Sequence, residues 1–87
     1  MKLHNLKIQT EHFEAILAGR KTAELRINDR NYSVGDALCL HEFANGNYTC
    51  RKITRYISHV LEDETYLQKG YVMLSLAKDN KLILIQE

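Results

Sequence analysis

Proline and tryptophan are absent from this 87-residue sequence, glycine occurs four times and cysteine twice. Without proline or low-complexity tracts there is no stiff spacer or linker to separate domains, and residues 1–87 are expected to form a single domain with one modest core. Cys39 and Cys50 are too few for a disulfide framework and lack metal-type spacing, so they are expected to remain thiols, at least one of them buried. His4, His12, His41 and His59 are scattered in the same way, which argues against a zinc site preassembled on one element; no metal and no cofactor are expected. No apolar run approaches the roughly 18 residues of a membrane span. The amino terminus, Met1 to Lys7, carries charge but no apolar stretch or small-residue cleavage site follows, so a cytoplasmic protein without a membrane partner is expected. With a net charge of only +1 the chain as a whole does not announce a polyanion partner, and its oligomeric state is left open.

What the sequence does contain is alternation. Residues 3–8 place His4, Leu6 and Ile8 on one face of a strand and Leu3, Asn5 and Lys7 on the other. His4 on that apolar face reads as a hydrogen-bonded core histidine. Thr10 is placed to cap a short helix, Phe13, Ile16 and Leu17 form its apolar stripe, and Gly19 supplies the left-handed residue that ends it. A second strand runs from Thr22 to Asn28, and a polar, turn-rich segment follows from Asp29 to Asp36. Asn45-Gly46 joins a strand over 37–43 to a long, bending strand from Tyr48 to about Val60, a strong hairpin signal. With those two as the loop, Cys50 falls opposite His41, and Glu42 falls opposite Thr49 as a buried partner for Arg26 or Arg51. A short helical turn over 62–69, a strand over 71–77 and a last strand over 81–86 complete a chain that is mainly β with one or two short helices. That is the composition of a small, partly open β-barrel.

The candidate site is the second strand. Ala23, Leu25 and Ile27 are expected inside, which puts Thr22, Glu24, Arg26 and Asn28 on the polar face. Lys21, Glu24, Arg26, Asp29 and Arg30 then line a cleft where helix end, strand and polar loop converge, with Lys7 as a further cation. Arginine offers a planar fork to phosphate or a base edge, and glutamate accepts from exocyclic amines. The mixture suits a nucleotide better than a simple anion. Tyr32 and Tyr71 are the tyrosines placed to stack on a base, whereas Tyr48 and Tyr56 are assigned to packing. A catalytic version would have Lys21 and Glu24 exchange a proton.

The runs H-x-L-K-I at His4 to Ile8, F-E-A-I-L-A-G-R-K-T-A-E-L-R at Phe13 to Arg26, N-D-R at Asn28 to Arg30 and V-G-D at Val34 to Asp36 resemble the ASCH domains. The likeness extends to Tyr48-Thr49 and Gly70 to Val72, and is greatest to a small bacterial and phage branch. It implies a PUA-like pseudo-barrel whose cleft binds RNA or a nucleoside or nucleotide. One ASCH group comprises amidohydrolases that deacetylate acetylated cytidine, and their active-site lysine matches Lys21. Those enzymes have a catalytic threonine where this chain has Glu24, and their further glutamate lies in a helical segment without a counterpart here. The resemblance thus implies binding at Lys21, Thr22, Glu24 and Arg26 first. Hydrolysis of acylated nucleosides or related small amides is the alternative, and an interaction module without a nucleotide role is a third reading.

Overall fold

The structure, a computed structural model, describes residues 1–80. Its elements are β1 (Leu3–Ile8), α1 (Thr10–Leu17), β2 (Ala23–Ile27), β3 (Ala37–Ala44), β4 (Asn47–Leu61) and β5 (Tyr71–Ala77). Five strands form one sheet in the order β1-β3-β4-β5-β2. β1 lies parallel to β3, and the other three pairings are antiparallel. The sheet curls into a half-barrel, so among the described residues the protein is mainly β with one short helix. The expected strand over 81–86 lies outside the described residues.

β1 behaves as its pattern predicts: His4, Leu6 and Ile8 are buried and the residues between them exposed. His4 Nε2 meets Asp36 Oδ2 at 2.8 Å, the satisfied core histidine expected. Phe13 and Ile16 seat α1 on the concave face of the sheet, together with Leu38, Leu40, Ile57, Val72 and Leu74. Leu17, expected in the same stripe, is 53% exposed, because the last helical turn carries it past the sheet. The Thr10 hydroxyl does not cap the helix, whose N-cap is Gln9; it serves the buried carboxylate of Glu42 instead. The other end follows its glycine: Arg20 N–H donates to the Ala15 carbonyl and Gly19 N–H to that of Ile16, with Gly19 at φ +82°. These two bonds are a Schellman closure, and they turn the chain toward Lys21 and β2.

Asn45 and Gly46 are both at positive φ, and Phe43 pairs with Tyr48, which is the primed two-residue turn the sequence predicted. Beyond that pair the register slips. Glu42 is bulged against Thr49–Arg51, with Cys50 at φ +73°, so Lys52 rather than Cys50 stands opposite His41. The bulge turns Arg51 toward Glu42, whose carboxylate accepts Arg51 Nε at 2.8 Å and the Thr49 hydroxyl at 2.5 Å. Cys39 is buried and Cys50 exposed, and both are free thiols. Residues 62–69 contain the single helical turn expected, not continued into a helix, with the Tyr66 and Leu67 amides both donating to the Asp63 carbonyl.

Candidate functional site

The two outer strands of the sheet, β1 and β2, face each other across a seam. β2 is fixed there by its antiparallel ladder to β5 and, at either end, by the Leu76 amide on the Thr22 carbonyl and the Asn28 amide on the Gly70 carbonyl. In this register Glu24 stands beside Leu74 and Arg26 beside Val72, both interior residues. The two faces of β2 are therefore reversed from the expectation. Glu24 is buried at 7% exposure, while Leu25 and Ile27 are 55% and 56% exposed on the outside. Alternation defines two faces but does not say which is inward; the pairing partner decides that.

Burying a carboxylate is costly unless it is paired and hydrogen-bonded. Glu24 Oε1 lies 3.3 Å from Lys21 Nζ, and Oε2 accepts Arg26 Nε at 2.8 Å. Arg26 also reaches across the seam, its Nη2 donating to the Lys7 carbonyl at 2.7 Å. The seam is thus bridged, among the described residues, by a side chain rather than by a backbone ladder. Among the described residues Arg26 bonds through Nε and Nη2, which leaves Nη1 to face a ligand.

In front of Arg26 lies a hollow of about 330 Å³ lined by Leu6, Leu25, Arg26, Ile27, Asp29, Arg30, Tyr32 and Tyr71. Its size falls within the range of small-molecule sites. Asp29 and Arg30 pair loosely at its mouth, at 3.7 Å, both well exposed. Lys21 and Glu24 do not line it; they stand at its back, joined to it through Arg26. Thr22 is exposed and does not line the hollow; its carbonyl accepts the Leu76 amide of β5. Lys7 is brought to the seam by its carbonyl alone. Its ammonium lies on the opposite face of β1, 4.5 Å from the centre of the Phe43 ring.

Tyr32 also departs from the expectation of a free stacking ring. It is 6% exposed, with its ring centre 4.7 Å from that of His4. Burial pushes its phenol pKa above the ordinary value, against the pull of Arg26 and Arg30. It can wall the hollow but offers no open face. Tyr71, half-buried and shared between the hollow and its outer rim, remains the ring available for stacking. Leu6, Leu25 and Ile27 are lining residues that sequence reasoning missed, and no local signal marks them, since they meet only through non-local pairing. Among the described residues no group of three or more His, Cys, Asp or Glu could hold a metal ion.

Against known families, a model described as a domain of unknown function (DUF3850) matches residues 3–76. The chain belongs to the DUF3850 family. A relative, an uncharacterized 12.9 kDa protein in the GpA 3′ region of Escherichia phage P2, is 41% identical over 73 residues, 84% of this chain. The match spans 66% of that relative, just under two-thirds of its length. The DUF3850 match takes in the whole seam, from Leu6 through Lys21–Arg30 to Tyr71. Among the described residues no helix is long and apolar enough to cross a membrane.

Proposed function

We propose that this DUF3850 domain binds RNA or a nucleotide in the seam between β1 and β2, with Arg26 and Arg30 contacting phosphate or a base edge and Tyr71 stacking on the base. The observation that carries the reading is the aim of Arg26. Glu24 and the Lys7 carbonyl hold its guanidinium from two sides while it lines a hollow with a second arginine and a tyrosine. A preorganised planar fork beside an aromatic ring is suited to a nucleotide. Turning a charged face inward while two aliphatic residues stand exposed also breaks the usual pattern, and such breaks concentrate where function requires them. The likeness to ASCH and PUA-like domains belongs to the same proposal, as does a cytoplasmic home, with which two free thiols agree.

The hydrolase reading has less support. Both Glu24 oxygens are occupied by cations, and the Lys21–Glu24 pair stands behind the hollow rather than in it. Nucleoside monophosphate binding, followed by calorimetry, tests the proposal. Arg26→Gln and Arg30→Gln should each weaken it by about tenfold or more, since a hydrogen bond to a charged group contributes roughly 1.5–3 kcal/mol when desolvated. No binding by the unaltered protein, or variants that both bind as tightly as the unaltered protein, contradicts it. A panel of acylated nucleosides followed by mass spectrometry should show no turnover.

A further inference from the structure

On the convex face of the sheet, behind the seam, lies a cluster to which the seam site assigns no part. Lys7, His41 and Lys52 occupy directly paired positions on β1, β3 and β4, forming a row across three strands. Along the hairpin, Phe43 pairs with Tyr48, their ring centres 5.1 Å apart and nearly perpendicular. Tyr48 is 56% exposed, contrary to the packing role expected of it. Lys7 Nζ stands over both rings, at 4.5 Å and 5.6 Å from their centres. A second hollow, about 260 Å³, opens between Asn5, Leu6, Lys7, His41 and Tyr48, and none of these residues is acidic.

The two hollows are adjoining. Leu6 lines both. Lys7 joins them as well, its carbonyl accepting Arg26 in the seam while its ammonium stands in the convex cluster. Among the described residues the edge of β1 separates them. Lysines flanking an exposed ring are a means by which sheets hold unpaired bases and their phosphates.

Resting on the nucleotide reading of the seam, we infer that the ligand is a single strand of nucleic acid rather than a free nucleotide. One nucleotide sits in the seam, and the strand passes over the edge of β1 so that the next base stacks on Tyr48 and its phosphates meet Lys7 and Lys52. The test compares a nucleoside monophosphate with a labelled, unstructured RNA of about six nucleotides, a length within the usual span of single-strand sites. The oligonucleotide should bind at least about tenfold tighter. Tyr48→Ala should lose about tenfold on the oligonucleotide, the loss of one base stack, and nothing on the monophosphate. Replacing Lys7 and Lys52 together by Gln should flatten the dependence of log K on log salt by about 1.4, or about 0.7 for each phosphate contact. These side chains are exposed, so unchanged melting temperatures are expected and exclude misfolding as a cause. Equal affinity for the two ligands, or an oligonucleotide affinity indifferent to these variants, overturns the inference and leaves the seam reading standing. Binding lost in Tyr48→Ala but untouched by Arg26→Gln overturns the seam reading and the path through it, and absence of binding to either ligand overturns both.

Discussion

Two buried carboxylates show how differently single residues are held here. Glu24 is clasped by Lys21 and Arg26, whose side chains are each 25% exposed, so solvent screens the pair in part. Glu24→Gln keeps the shape and one acceptor but removes the charge that fixes Arg26; it should cost about 1–3 kcal/mol in urea unfolding and weaken ligand binding as well. Glu42 has no part in the seam. The Arg51 guanidinium first, then the Thr49 hydroxyl, outweigh the opposing effect of burial and hold its carboxyl down to about 2 from an ordinary 4.5. Because the folded value is the lower one, the stability it contributes is present above about pH 4.5 and disappears as the pH falls toward 2. Glu42→Gln should flatten the stability profile in that window. Asp36 keeps some slope: burial pushes its carboxyl up, but bonds from His4 and the Lys2 and Ser33 amides prevail and lower it. Tyr32 works in the opposite direction. Its raised phenol pKa contributes stability below about pH 10 that is lost on further alkalinisation, and Tyr32→Phe should remove that alkaline loss.

Among the elements, the orientation of β2 has the largest consequence. With Leu25 and Ile27 already 55% and 56% exposed, replacing both by Thr should change stability by less than about 1 kcal/mol. Had they been core residues, as alternation suggested, the loss would be several times larger. The β3–β4 turn is sensitive in another way. Gly46 lies at φ +80° with nothing within 4 Å of an added Cβ, so Gly46→Ala should cost about 1 kcal/mol from backbone strain alone, measurable by thermal unfolding. What the sequence made legible was local: the inward face of β1, the Gly19 helix end and the Asn45-Gly46 turn each depend on a few neighbouring residues. Less legible was whatever depends on a distant partner. The ladder to β5 sets which face of β2 points inward, and a bulge at Thr49–Arg51 resets the register that the turn alone would give.

At the scale of the fold, among the described residues the sheet begins at β1 and ends at β2, and its curl brings these two edges face to face without joining their backbones. A barrel closed by a ladder would have no opening there. This one is bridged by Arg26, and the hollow in front of that bridge is where a ligand has both charge and an aromatic wall. Lys21, Glu24 and Arg26 were legible as a group because they lie on one short stretch, but their connection to Leu6 and the edge of β1 was not, since β1 is separated from β2 by the helix. Amide and guanidinium NMR signals followed during titration with nucleoside monophosphates test the seam most directly. Binding there predicts the largest shifts at Arg26 Nε–H, Leu6, Arg30 and Tyr71, whereas a spectrum that does not move, or moves only at residues distant from these, contradicts it.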